Sequence, residues 1–173
     1  MVANYLNKKP AATPGGLNDA AAACTRAKVN KFLVQQTGAK VVGYKAGLTN
    51  PAVQKRFNAT APVWGVLYEP MLLKNGAVVE AAFGARPLFE ADLLVRVSDP
   101  RISQAKTPQQ VLQYIDQVIP AIELPDLVVE APPKLNGSAV AAINVGARYF
   151  VAGAPIAVKR TPEFADSLAG MKV

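Results

Sequence analysis

Two carboxylates stand two residues apart in the stretch 86–97, RPLFEADLLVRV, which otherwise has the apolar composition of a strand from a core. Side chains at positions i and i+2 of a strand point to the same face, with Cα atoms about 6.5 Å apart. Glu90 and Asp92 therefore project together, and a third acid, Glu123, lies in the apolar stretch PAIELPD. Three carboxylates suit a hard cation, Mg²⁺ or Mn²⁺, that keeps open positions for water and substrate.

The same spacing allows a second interpretation. Two like charges this close destabilise each other unless a cation or solvent separates them, and solvent alone suffices if the acidic face of the strand is exposed. Glu123 would then stand at the end of another strand. In both interpretations the opposite face, made by Phe89, Ala91, Leu93 and Val95, is expected to pack into the core. The spacing does not decide between a metal site and a solvated face.

The composition narrows the possible chemistry. The 173 residues include no histidine and one cysteine, which excludes Ser-His-Asp and Cys-His catalysis, an internal disulfide framework and a zinc site built on several thiolates. The net charge of +7 comes from 19 scattered Lys and Arg residues with no basic run longer than two. We therefore expect a solvated basic surface that attracts an anionic substrate, and a nucleic-acid-binding domain is the minor alternative.

The chain is expected to form one ordered domain, because 51% of its 173 residues are apolar. No membrane span is expected, because no apolar run approaches the roughly 20 residues that a membrane helix needs. Residues 1–16 are predicted to be a loose arm and 17–173 the domain. The hydrophobic end of the chain indicates a domain that is incomplete at its C-terminus. No secretory signal is visible, which favours a cytoplasmic protein, with an exported mature form left open.

The pattern of helices and strands predicts an α+β fold with a mixed sheet. One helix is expected from Asn18 or Asp19 to Gln36, with Val29, Phe32 and Leu33 at core spacing and Gly38 as its stop. Further helices are expected from Pro51 and over 108–117, where capping residues precede prolines. The predicted strands, besides 86–97, are 40–47, 64–68, 76–83, 118–124, the glycine-interrupted stretch 138–153, 155–160, and a start after Gly170.

Four segments in order, VVGYKAGLT (41–49), RPLFEADLLV (86–95), PAIELPD (120–126) and AAINVGARYFVAG (141–153), resemble the 2-keto-4-pentenoate hydratase and 4-oxalocrotonate decarboxylase family of the fumarylacetoacetate hydrolase superfamily. The resemblance implies a mixed β-roll that here lacks its C-terminal part, and a homo-oligomer. It implies Glu90, Asp92 and Glu123 as ligands of Mg²⁺ or Mn²⁺, with Asp92 in place of a glutamate.

The resemblance also implies residues that handle the substrate. Lys45 would be the active-site lysine, Leu48 and Thr49 would help to hold the substrate carboxylate, and Asn144 would lie beside the substrate. Without the resemblance, a lone lysine between two glycines would be read as an ordinary exposed one.

The chain departs from the family pattern at several places. Val63 and Ile143 stand where the hydratases typically carry acids, the residues after Glu123 lack a Ser-Arg pair, and a Gly-His-Pro segment has no counterpart. The expected function is a metal-dependent lyase, hydratase-like, acting on a small 2-oxo or 2-hydroxydienoate acid. The alternatives are a 2-oxo acid decarboxylase of the same family and a catalytically impaired relative that binds metal and ligand. No nucleic-acid or membrane partner is expected.

Overall fold

The computed structural model describes residues 1–171, which divide into two compact units. Unit 1 comprises Met1–Leu72, Val78–Phe89 and Leu124–Tyr149, and unit 2 comprises Leu73–Ala77, Glu90–Glu123 and the described residues from Phe150 onward. No helix among the described residues combines the length and the apolar character that crossing a membrane requires.

The helices begin where the sequence offers capping side chains. They are α1 (Val2–Leu6), α2 (Asp19–Thr37), α3 (Pro51–Arg56), α4 (Pro108–Tyr114), α5 (Gly137–Ala142) and α6 (Pro162–Ala169). In α2 the side chain of Asn18 accepts a hydrogen bond from the Ala21 N–H, and Gly38 ends the helix in the left-handed conformation. The predicted first helix is therefore confirmed, and Leu33 is buried, whereas Phe32 is 55% exposed rather than in the core. The helix predicted over 108–117 ends at Tyr114 because the next residue begins a strand.

The strands form two sheets. They are β1 (Val41–Gly47), β2 (Val63–Tyr68), β3 (Leu72–Lys74), β4 (Glu90–Val97), β5 (Ile115–Leu124), β6 (Tyr149–Ala152) and β7 (Ile156–Ala157). In unit 1, β1 and β2 pair antiparallel. The second sheet, almost entirely in unit 2, has the order β3-β6-β5-β4, with β7 also paired to β5. The mixture of helices and sheets confirms the predicted class at this level.

Each unit has its own apolar core. In unit 1, Val128, Val129, Leu135, Val140 and Ile143 are buried together, and α2 packs on α5. In unit 2, Leu112, Ile115 and Val118 are buried, with Leu93 and residues of α6 packed around them. The hydrophobic face of each element supplies these clusters, as burial of apolar surface requires.

Two strand predictions are wrong, and a third falls outside the described residues. Residues 76–83 turn at Gly76, whose φ is +79°, and then run without pairing, so that Val78 is fully exposed. In 138–153, the alanine-rich part forms α5, capped by the Asn136 side chain, because alanine favours helix more than strand. Only the end of that stretch forms β6. Around Gly170 the chain completes α6, and the strand expected to follow falls on residues 172–173, outside the described part.

The N-terminal segment differs from the loose arm expected for 1–16. It contains α1, and Ala11 is buried and forms a parallel bridge with Val129. The guanidinium of Arg148 lies 3.9 Å from the ring centroid of Tyr5 and donates to the Tyr5 carbonyl oxygen at 2.6 Å. Burial raises the pKa of the Tyr5 hydroxyl to about 12, although the positive charge of Arg148 opposes that rise.

Arg148 is held in turn by Asp126, a carboxylate with no exposed surface. Its Oδ2 accepts from Arg148 Nε at 3.0 Å and from the Ala85 N–H at 3.1 Å. Its Oδ1 accepts from the N–H groups of Arg86 at 2.7 Å and Val128 at 3.1 Å. Full satisfaction of both oxygens is what allows a charge to be buried. Asp126 therefore joins its own segment to residues 85–86 and to Arg148, and through Arg148 to the N-terminal segment.

We expect Asp126→Asn to lower the free energy of unfolding of unit 1 by about 3–5 kcal/mol, because it leaves the Arg148 charge buried without its counter-charge. Urea unfolding followed by circular dichroism measures this. The matched control is Glu80→Gln, which removes the same charge from an exposed pair with Lys8 at 3.8 Å and should change stability by less than about 1 kcal/mol. Equal losses in the two variants would contradict the assignment of Asp126 as the anchor.

Candidate functional site

The strand register in unit 2 brings the three predicted metal ligands to one face. Glu90 of β4 pairs directly with Glu123 of β5, and Asp92 pairs with Ala121. Directly opposed residues of an antiparallel pair share a face, with Cβ atoms about 4.5–5.5 Å apart. Since Glu90 and Asp92 are two residues apart on β4, all three carboxylates rise from the same side of the β4–β5 pair.

The three acids differ in exposure. Glu123 is buried at 2% exposure, Asp92 is half-buried and Glu90 is exposed. Asp92 Oδ1 accepts from the Leu93 N–H at 2.7 Å. Among residues 1–171, no three acidic or cysteine side chains are gathered closely enough to hold a metal ion. The register and the oxygen donors fit a hard cation, and binding one would require the three carboxylates to come closer together. Their role as ligands stays a prediction.

The opposite face of β4 is not the buried face that the sequence predicted. Phe89, directly before the strand, is 82% exposed, Ala91 is exposed and Val95 is 50% exposed, whereas Leu93 packs on the unit 2 core. β4 stands at the end of the sheet order, and of its residues only Leu93 packs on the buried cluster of unit 2. The expectation was therefore right for Leu93 alone.

Lys45 lies on β1 in unit 1 and is buried, at 8% exposure. Its ammonium donates to the carbonyl oxygen of Val145 at 3.0 Å. In the β1–β2 register Lys45 pairs with Gly65, so no side chain stands opposite it. The alternative of an ordinary exposed lysine is therefore wrong. A buried ammonium in a hydrogen bond with a fixed acceptor has the placement that a proton-transferring or charge-stabilising lysine needs.

The acceptor of this hydrogen bond belongs to a left-handed turn that the sequence did not reveal. Asn144, Val145 and Gly146 have φ values of +56°, +55° and +64°. This conformation is unusual for a β-branched residue and costs roughly 1–3 kcal/mol. The Asn144 side chain holds the turn by accepting from the Val66 N–H at 2.8 Å and donating to the Val66 carbonyl oxygen at 2.9 Å. Strand-like alternation hid the turn, and the Asn and Gly flanking Val145 were the available signal.

The other predicted substrate residues lie at the end of β1. Leu48 also has a positive φ, +55°, and packs on the unit 1 core that contains Val145. Its carbonyl oxygen accepts from Gln54 Nε2 at 2.8 Å. Thr49 is exposed and comes directly before Asn50, which caps α3. In unit 1, Lys45 contacts the turn that contains Asn144, and Leu48 packs on the core to which Val145 of that turn belongs. Thr49 lies at the surface.

The two departures from acidic residues have structural consequences. Ile143 is buried in the unit 1 core, and Val63 is half-buried and packs against it. Neither position supplies a carboxylate, and both add apolar surface beside Asn144. The acid face belongs to unit 2 and the Lys45 group to unit 1, and each stands on its own geometry.

The chain is similar to characterised enzymes over part of their length. It is 31% identical to a 2-keto-4-pentenoate hydratase of Burkholderia vietnamiensis over 113 residues, 65% of this chain and 42% of the enzyme. It is 28% identical to a 4-oxalocrotonate decarboxylase of Pseudomonas putida over 71% of this chain and 46% of the enzyme. The chain is a homologue of these hydratases and decarboxylases. The recognition drawn from its motifs is thereby confirmed. It spans less than half the length of either relative.

A solved structure agrees with this homology. The 4-oxalocrotonate decarboxylase from Pseudomonas putida G7, complexed with magnesium and adipate, superimposes with a TM-score of 0.74 and 25% identity. The match covers 86% of this chain and 57% of the decarboxylase. No protein-family model matches the chain. The similarity to the hydratases and decarboxylases thus covers both sequence and fold, without fixing which reaction this homologue performs.

Removal of one predicted ligand should weaken divalent-cation binding. We expect Glu90→Gln or Glu123→Gln to reduce Mg²⁺ affinity by about tenfold or more, because loss of even an outer partner of a metal ligand costs that much. Calorimetric titration with MgCl₂ and MnCl₂ measures it. The matched control is Asp116→Asn, which removes a carboxylate from β5 seven residues from Glu123, where it pairs with Arg96. Unchanged affinity in both glutamate variants would exclude the acid face as the metal site.

Proposed function

We propose that the protein is a divalent-metal-dependent lyase that acts on a small 2-oxo or 2-hydroxydienoate acid. The observation that carries the proposal is the common face of Glu90, Asp92 and Glu123 on β4 and β5, in a homologue of hydratases and decarboxylases. The solved relative holds magnesium together with adipate, a dicarboxylate, which supports an acidic substrate near a divalent cation here as well.

Each residue has a part in the proposed reaction. Glu90, Asp92 and Glu123 would hold Mg²⁺ or Mn²⁺, which supplies Lewis-acid stabilisation of negative charge on substrate oxygens. The Lys45 ammonium, fixed by the Val145 carbonyl, would donate a proton to the substrate or balance its charge. Leu48, Thr49 and the Asn144 amide would orient the substrate.

The apolar pair Val63 and Ile143 bears on which lyase reaction is favoured. Addition of water needs a group that positions or activates the water molecule, and these two side chains cannot do so. We therefore expect proton transfer or decarboxylation to be more efficient than hydration. A catalytically impaired relative that binds metal and ligand is the second candidate, supported by the same two residues.

Assays with 2-hydroxypentadienoate and 4-oxalocrotonate in the presence of Mg²⁺ test this proposal. Turnover should be detectable in the wild type and fall by at least about 100-fold in Lys45→Met, which is the usual contribution of an acid–base group. Mg²⁺ affinity should stay equal or rise, since a positive charge is removed. The control is Lys40→Met, which truncates an exposed lysine just before β1.

Two results would contradict the lyase proposal. The first is robust hydration in the wild type that Lys45→Met leaves undiminished, which would exclude both the lysine and the apolar argument. The second is thermal stabilisation by either substrate without any product, which favours the impaired relative. Retention on DNA or RNA that depends on salt would instead point to a basic nucleic-acid-binding domain.

We further propose that the fold is a mixed β-roll and that the protein forms a homo-oligomer. The support is the structural similarity to the decarboxylase and, in unit 2, the apolar surface of Val95, Val97 and Ile122, each about half exposed on or beside an edge strand.

A charge placed on that edge should disfavour association. Val95→Lys is expected to shift the mass measured by light scattering toward the monomer, because burying an unpaired ammonium in an interface is costly. Gln104→Lys adds the same charge at an exposed position outside the strands and should leave the mass unchanged. A wild-type protein that is monomeric at high concentration would contradict the oligomer.

A further inference from the structure

We infer that the left-handed turn Asn144–Val145–Gly146 is the positioning element of Lys45, and that Val145 is a positioning residue. The inference rests on the proposed function of Lys45. The Val145 carbonyl accepts from the ammonium at 3.0 Å, and its direction is set by the left-handed backbone. If Val145 moved to an ordinary φ, its carbonyl would rotate away, and the ammonium would lose this fixed acceptor.

Every carbonyl of the turn has a defined partner. That of Asn144 accepts from the Ala147 N–H at 3.1 Å, and that of Gly146 accepts from the Asp126 N–H at 2.8 Å. The third, that of Val145, accepts from Lys45. A residue held in a costly conformation persists only when its surroundings determine it, and such residues are concentrated at functional sites.

The antiparallel pair of β1 and β2 carries glycines at the positions that the turn approaches. A Cβ atom on Gly65, which pairs with Lys45, would lie 2.6 Å from the Asn144 carbonyl oxygen and 3.0 Å from its carbon. A Cβ atom on Gly47 would lie 2.3 Å from Cγ1 of Val145. Gly43 is two residues from Lys45 on β1, as Gly47 is. Unlike Gly47 and Gly65, it does not approach the turn, since its Cβ atom would meet only Leu67 Cδ1 at 4.0 Å. The two glycines that face the turn thus leave the space that it occupies.

The three glycines provide a matched experiment. Gly65→Ala must displace the backbone of the turn, Gly47→Ala must displace the Val145 side chain, and Gly43→Ala fits without a shift. The readout is the rate at which an amine-acylating reagent labels Lys45 in the protein without substrate, measured by mass spectrometry. Exposed Lys40 and Lys74 serve as internal references.

We expect Gly65→Ala to raise the labelling rate of Lys45 by about tenfold or more, because a hydrogen bond to a charged group corresponds to at least such a factor. Gly43→Ala should leave that rate unchanged. Gly47→Ala should raise it less, since only a side chain stands in the way, and the double variant Gly47→Ala with Val145→Gly should restore it. A purely structural role would lower the melting temperature without selective labelling of Lys45.

Several results would overturn the inference. One is equal labelling of Lys45, Lys40 and Lys74 in the wild type, a measurement that holds even if a variant fails to fold. Another is an unchanged Lys45 rate in folded Gly65→Ala. The labelling needs no turnover, so its outcome is separate from that of the lyase assays. A raised Lys45 labelling rate in Gly65→Ala, in a protein without lyase activity, would support the positioning role and contradict the proposed function. Lyase activity with an unchanged Lys45 labelling rate in Gly65→Ala would support the proposed function and contradict the positioning role.

Discussion

The buried pair of Asp126 and Arg148 is the constraint on which unit 1 depends. The Asp126 carboxylate accepts hydrogen bonds from the Arg148 guanidinium and from three backbone N–H groups. The guanidinium in turn donates to the Tyr5 carbonyl oxygen and so holds the N-terminal segment. The backbone N–H of the same Asp126 donates to Gly146, the last residue of the left-handed turn. Asp126 thus holds residues 85–86 and Arg148 with its side chain. With its backbone N–H it holds the turn whose Val145 carbonyl accepts from Lys45. The position of the lysine is a consequence of how the unit is held together.

Small residues are as necessary to this arrangement as charged ones. A Cβ atom on Gly84 would lie 2.5 Å from the carboxyl carbon of Asp126, and one on Gly65 would meet the turn at the level of Lys45. Packing in a protein interior leaves no slack for such atoms. Gly84 thus allows the charged pair to approach the backbone closely, and Gly47 and Gly65 allow the strained turn to do so.

The sequence was sufficient where local chemistry decides the structure. Asn18 and Gly38 cap the two ends of α2, as expected. Glu90 and Asp92 lie on one face of β4 because side chains alternate along a strand. It was insufficient where tertiary contacts decide. Nothing in ELPDLVV marks Asp126 as a buried ion-pair partner, because Arg148 is 22 residues away in the chain. The turn at Val145 was read as strand, since a β-branched residue favours extended backbone and only the clamp by Asn144 on Val66 overrides that preference.

Each unit contributes one buried charge to the candidate functional residues. Glu123 is a carboxylate at 2% exposure and Lys45 an ammonium at 8%, so each is withdrawn from bulk water in its own unit. Charges in such surroundings act more strongly on a substrate than exposed ones do. In unit 1, Val63 and Ile143 put apolar side chains at the two positions where the resemblance implies acids. For the lyase proposed above, apolar side chains at these two positions would leave no acid to guide water, which favours proton transfer or decarboxylation over hydration.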